Sequence, residues 1–324
     1  MMIKGEGLPI KMSIPKIDMD IVMNKLSKNF IMVLIFSFLF VWLATPVYAY
    51  ENWLLGYMSL IKPIQSFTTN RTCIVLMDIG FQKHAQLPYF DNGFYVNDSK
   101  DILPPTAENM KQTATGGPHG MEMVSIISHP TEGVYSNVKI IPVKVNFNDD
   151  TLSGGIKELH RRHQNGEYRN LCDRYVFSVS GGGWWDESQS YSRATSDVLS
   201  ELSYFKDAIL ISCAGNRGTN LDNIPDTMVL TSPDRFESII RVAATEPGGT
   251  LWVKSCYGTK NIDIAFPGAF IKIPGLSDNE YKEGTSVSTA AVAGIVAWLW
   301  DAYPTLTRTQ IRNMVILAGL KDAP

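Results

Sequence analysis

Three residues far apart in this chain are of the types that together open acyl bonds: a carboxylate, an imidazole and a hydroxyl. Asp78 follows the apolar run 73–77, His119 stands in Gly116-Gly117-Pro118-His119-Gly120, and Ser286 lies in Glu283-Gly284-Thr285-Ser286 just ahead of a stretch of small residues. A serine hydroxyl is a weak nucleophile until a base takes its proton. Imidazole suits that task near neutral pH, and a carboxylate behind it fixes its tautomer. Each residue also has an ordinary explanation when taken singly: a turn-forming Asp, a loop His and a Ser/Thr-rich helix cap. His84, His129, His160 and His163 lie in polar or loop-like surroundings, whereas glycines frame His119 at an element boundary and permit close approach of another segment.

Chemistry of this kind needs elements that hold the three groups at one place. Runs at 73–77, 139–145, 175–179, 208–214, 239–243 and 262–265 are β-branched and not strictly alternating, the pattern of parallel strands buried on both faces. Helix-like stretches fall between or after them, at 120–127, 155–163, 192–206, 286–303 and 307–318, the last with Thr307 and Gln310 spaced as a capping box and Gly319 at its stop. Strands alternating with helices predict an α/β fold, a single-domain parallel sheet with helices on both faces. Ligands of such sheets bind beyond the carboxyl ends of the strands, where Asp78 stands. Small residues at Ala290, Ala293, Gly294 and Ala297 let the 286–303 helix be buried against the sheet. Its N-terminus then points Ser286 and unpaired backbone N–H groups into the cleft, a setting suited to a developing oxyanion.

These residues, in this order, resemble those of the subtilisin-like serine proteases, the subtilase or peptidase S8 type. Ser178-Val179-Ser180-Gly181-Gly182-Gly183 is similar to the family's substrate-pairing edge strand, Ser212-Cys213-Ala214-Gly215-Asn216 to its Ala-Gly-Asn segment, and Ile264-Ala265-Phe266-Pro267-Gly268 to its Ala-Pro-Gly turn. The likeness runs from about Cys73 to Gly319. It implies an endopeptidase with Asp78, His119 and Ser286 as catalytic triad and the Asn216 amide in the oxyanion hole. An extended polypeptide would lie beside Ser180, Gly181, Gly182, Ala214 and Gly215. Activity should then fall as pH drops through the His119 pKa, near about 6.5 if unperturbed. A doubly wound nucleotide-binding domain is disfavoured, since Asp78-Ile79-Gly80-Phe81-Gln82 holds one glycine and no GxGxxG. The alternative within the same fold is a catalytically impaired peptide-binding or interaction module, which predicts a lost triad member. The departures are Met121-Glu122 where the family usually continues His-Gly-Thr-His, and Ala290 where a proline is usual four residues after the serine. The resemblance leaves calcium allowed, but no acidic cluster has calcium-loop spacing, so no metal site and no other cofactor is assigned.

Composition agrees with one globular domain. The 324 residues are 45% hydrophobic, 10% aromatic and 19% charged, outside the ranges of disordered, collagenous or polytopic membrane chains. With 29 basic against 32 acidic residues there is no electrostatic footprint for nucleic acid. Residues 31–44 form an apolar run flanked by Lys25 and Lys28 and by Thr45-Pro46-Val47-Tyr48-Ala49, which reads as a secretory signal within 1–49 cut after Ala49. Acidic residues before Met23 suggest translation starts there. Secretion, or a periplasmic location, follows; the competing reading is a membrane anchor through residues 30–49 that is not cleaved. That leaves a short segment, 50–72, before a peptidase domain at 73–324, too short for a folded propeptide. Export allows disulfides. Four cysteines, Cys73, Cys172, Cys213 and Cys256, permit three full pairings, and their count alone chooses none. Similar positions are bridged in proteinase-K-like subtilases, so the resemblance implies a Cys73–Cys172 disulfide.

Overall fold

The computed structural model describes residues 71–112, 118–147, 149–181, 198, 200–223, 238–275 and 281–318. Among these residues the chain forms β1 (Thr72–Asp78), β2 (Phe94–Val96), β3 (Ile102–Leu103), β4 (Lys139–Lys144), β5 (Arg174–Val179), β6 (Ala208–Cys213), β7 (Ile239–Thr245) and β8 (Ile264–Pro267). They make one sheet in the order β3-β2-β4-β1-β5-β6-β7-β8. Its neighbours from β2 to β8 are parallel, and β3 closes the edge antiparallel to β2. The hairpin of β9 (Ile271–Lys272) and β10 (Tyr281–Lys282) is separate. All six expected strands are present. The additional ones are two or three residues long, too short to carry a pattern of their own.

The longer helices are α1 (His119–Ser128), α2 (Asp149–Gln164), α3 (Thr285–Ala302) and α4 (Arg308–Ala318). Alternation along β1 sorts its side chains to two layers. Ile74 and Leu76 pack with Val124 and Ile127 of α1 and with Val287, Ala290 and Ala293 of α3. Cys73, Val75 and Met77 face Leu152, Ile156 and Leu159 of α2. Helices therefore cover both faces, as the strand pattern predicts. Residues 192–197 of the expected 192–206 helix lie outside the described residues, while 200–203 are helical. The expected capping box at α4 forms: the Gln310 N–H donates to Thr307 Oγ1 at 3.3 Å and the Thr307 N–H to Gln310 Oε1 at 2.9 Å.

The connection from β4 to β5 passes over β1, so β1 and β5 are adjacent strands whose chains leave toward opposite sides of the sheet. A crevice opens at the carboxyl ends of such a pair. Asp78 ends β1, and Ser180 follows β5. The Cys73–Cys172 disulfide lies at the other end of these strands, with a Cα–Cα distance of 5.6 Å. Cys213 and Cys256 are buried thiols.

Candidate active site

The carboxylate of Asp78 is wholly buried, and His119 Nδ1 lies 2.8 and 2.9 Å from its two oxygens. Asp78 Oδ1 also accepts from the Ile79 N–H at 2.8 Å, which fixes the carboxylate before the imidazole meets it. With one ring nitrogen engaged this way, Nδ1 carries the proton and Nε2 is left to accept one.

Glycines set how closely the two segments approach. A Cβ on Gly120 would lie 2.1 Å from the Gly80 carbonyl, and one on Gly80 would lie 2.4 Å from the Gln112 Cα. Only bare backbone lets the start of α1 reach the end of β1, as the glycine frame around His119 suggests. The 107–112 segment is anchored by the buried Lys144 at the end of β4, whose ammonium donates to the Asn109 and Lys111 carbonyls at 2.8 and 2.6 Å. Burial holds the Lys144 pKa below its ordinary value. From that anchored turn Gln112 Oε1 accepts the His119 backbone N–H at 3.0 Å, satisfying one of the open donors of the helix end.

On the far wall, Ser286 sits in the first turn of α3, whose leading residues are buried among the strands. The Asn216 side chain is oriented by Thr285: Asn216 Oδ1 accepts from the Thr285 N–H and from Thr285 Oγ1, each at 2.9 Å. Thr285 Oγ1 also accepts from the Gly215 N–H at 3.1 Å. With its oxygen occupied, Asn216 turns its NH₂ outward. A Cβ placed on Gly284 would lie 2.9 Å from Ser286 Oγ and 3.3 Å from Asn216 Nδ2, so hydroxyl and amide converge on one point. The Pro267-Gly268 turn braces this arrangement, with the Gly284 N–H donating to the Gly268 carbonyl at 2.8 Å and Ser288 Oγ to the Phe266 carbonyl at 2.9 Å.

His119, Ser286, Asn216, Ser180, Gly181 and Gly215 line one cleft of about 290 Å³, with Asp78 behind the imidazole. Ala214 lies beside Gly215 with 9% of its surface exposed, and Gly182 lies outside the described residues. One expectation needs correction. β5 is flanked by β1 and β6, so it is not a sheet edge, and a peptide could add only along its continuation beyond Val179. Phe147, which the sequence reading passed over, also lines the cleft: its ring fills the place of a Gly181 side chain, and its backbone holds a φ of 51°. Gln112 and Thr285 were likewise unmarked, although Thr285 stands inside the Gly-Thr-Ser motif.

The pKa of His119 is raised. Burial works against the imidazolium, but the Asp78 carboxylate, by charge and by hydrogen bond, and then Glu122 outweigh it, and Lys282 opposes them. Among the described residues no group of three or more His, Cys, Asp or Glu is placed to hold a metal ion, so no calcium ligands are assigned.

The sequence matches the model of the peptidase S8 family, the subtilases, over residues 69–321. The chain belongs to the subtilase family. Its subtilase relatives include the alkaline elastase YaB of Bacillus sp. strain YaB, 23% identical over 78% of this chain and 60% of that protein. A second is subtilisin-like protease 1 of Pseudogymnoascus destructans, 30% identical over 63% of this chain and 48% of that protein. The chain thus spans about half to three-fifths of these relatives' length. Solved structures with this fold include a cold adapted subtilisin-like serine proteinase (TM-score 0.55, 22% identity, covering 78% of this chain and 85% of that one). Another is described under the assembly of the subtilase cytotoxin SubAB (TM-score 0.58, 21% identity, 81% and 85%).

Proposed function

We propose that this subtilase is an exported serine endopeptidase whose triad is Asp78, His119 and Ser286. The observation that carries the reading is the bond from His119 Nδ1 to the buried Asp78 at 2.8 Å, in a cleft shared with Ser286 and Asn216. His119 Nε2 takes the Ser286 hydroxyl proton as Oγ attacks the scissile carbonyl, and Asp78 stabilises the imidazolium that forms. The Asn216 NH₂ and the Ser286 N–H at the start of α3 donate to the oxyanion. The imidazolium then protonates the leaving amine, and water, deprotonated by the same imidazole, releases the acyl group from Ser286. Substrate would lie extended along Ser180 to Gly182 on one side and Ala214 to Gly215 on the other, held mainly through its backbone.

Export is supported by the apolar leader ending at Ala49, and a relative 25% identical over 217 residues is named an extracellular protease of Xanthomonas campestris. The mature peptidase would begin after that leader, with its catalytic domain over 73–324. Among the described residues no helix is long and apolar enough to cross a membrane.

Labelling with a serine-reactive fluorophosphonate tests the assignment. Wild-type protein should label, and Ser286→Ala should not. Labelling that survives the substitution would end the assignment, while folded wild-type protein that never labels would favour the peptide-binding alternative.

A further inference from the structure

The departure Met121-Glu122 has a structural counterpart across the cleft. Glu122 follows His119 by three residues on α1, where residues so spaced share a face. Its side chain is only 8% exposed, and its Oε1 lies 3.0 Å from Nζ of Lys282, itself 33% exposed, on β10. β10 leads through Glu283 and Gly284 directly into Thr285 and Ser286. We propose that Glu122 and Lys282 are positioning residues: their ion pair ties the helix of His119 to the strand that delivers Ser286 and balances the charge around the imidazole. This rests on the reading of His119 as the general base.

A carboxylate buried to this degree is costly without a cation beside it, and removing either member leaves the other exposed to that cost. Glu122 takes the place of the second histidine in the family's usual His-Gly-Thr-His, so here an anion stands one turn behind the base. The charged groups that act on His119 are Asp78 from β1, Glu122 from its own helix and Lys282 from β10, while the 107–112 segment presents the neutral Gln112. Glu122 favours the imidazolium and Lys282 opposes it. With Lys282 neutralised, two carboxylates would act on the ring and hold its proton to higher pH. With Glu122 neutralised, the lysine would act against Asp78 alone and the ring would release its proton earlier.

The test is NMR titration of the His119 imidazole in the full chain carrying Ser286→Ala, which prevents self-digestion. Glu122→Gln should lower the titration midpoint by about half a pH unit to one unit, and Lys282→Gln should raise it by a similar amount. The double variant should return close to the parent, and Lys282→Arg should leave the midpoint in place. Unchanged midpoints, or single variants that shift it in the same direction, would overturn the proposal. Should Glu122→Gln fail to fold, the upward shift in Lys282→Gln decides alone, because that side chain is part-exposed. If the chain with Ser286 intact labels with fluorophosphonate but the Ser286→Ala series lacks the opposite shifts, the endopeptidase stands and the charge balance falls. If the Ser286→Ala series shows the opposite shifts but folded chain with Ser286 intact never labels, the charge balance stands and the endopeptidase falls.

Discussion

The imidazole of His119 is held against Asp78 by contacts of 2.8 and 2.9 Å, and that same grip raises its pKa above the ordinary value. Because the folded pKa is raised, the pair contributes stability that is fully present below the unfolded value, about 6.5, and is lost as pH rises through the folded one. As the proposed general base His119 must be neutral, so the proposed chemistry has the opposite preference. We expect the acid limb of kcat/KM to have its midpoint above pH of about 6.5, measured on a small chromogenic amide; a midpoint below that value would contradict the contact with Asp78. At this scale Asp78, His119 and Ser286 could be proposed together from their order and company along the chain, which resemble the subtilase pattern, while glycines frame only His119 directly. Gln112 and Lys282 were not legible. Each acts through a contact made only after folding, and neither residue type nor spacing announces the partner.

Among the elements, α3 is the central piece, and its far end is fixed by a buried acid. Asp301 Oδ1 accepts the N–H groups of Arg71 and Thr72 at 3.2 and 3.0 Å, at the start of β1. The Asp301 carboxylate also accepts from the Tyr135 hydroxyl at 2.9 Å and lies 3.5 Å from the Arg174 guanidinium. Asp301→Ala would leave Arg174 buried without its charge partner and two backbone donors unsatisfied. We expect a loss of about 3–5 kcal/mol in urea unfolding; a loss under about 1 kcal/mol would mean that water replaces the carboxylate. The inner strands were legible because burial on both faces demands continuous apolar runs. α2 starts six residues before the 155 that its sequence pattern predicts. Gly154 and Gly155 look like a break, yet they stand inside the helix, where a Cβ on Gly155 would meet the Met77 methyl at 2.7 Å. There glycine marks tight packing of helix on strand, a contact that only the assembled layers reveal.

For the whole molecule, the Cys73–Cys172 bridge closes a loop with a sequence separation of 99 and pins β1 to the segment entering β5. On the loop-entropy model this contributes about 4–5 kcal/mol. Replacing both cysteines with alanine should lower the urea midpoint about as far as adding reductant does to the parent, and reductant should then have no further effect. A parent whose midpoint ignores reductant would argue against the bridge. A different consequence follows from the position of α3, which packs against β1, β5, β6, β7 and β8 although it is among the last elements in the chain. A growing polypeptide that has emerged only as far as β8 already carries Asp78 and His119 but not Ser286, the proposed nucleophile. On the proposed assignment, translation order acts as a safety catch: a product interrupted before α3 lacks Ser286 and so cannot attack its neighbours.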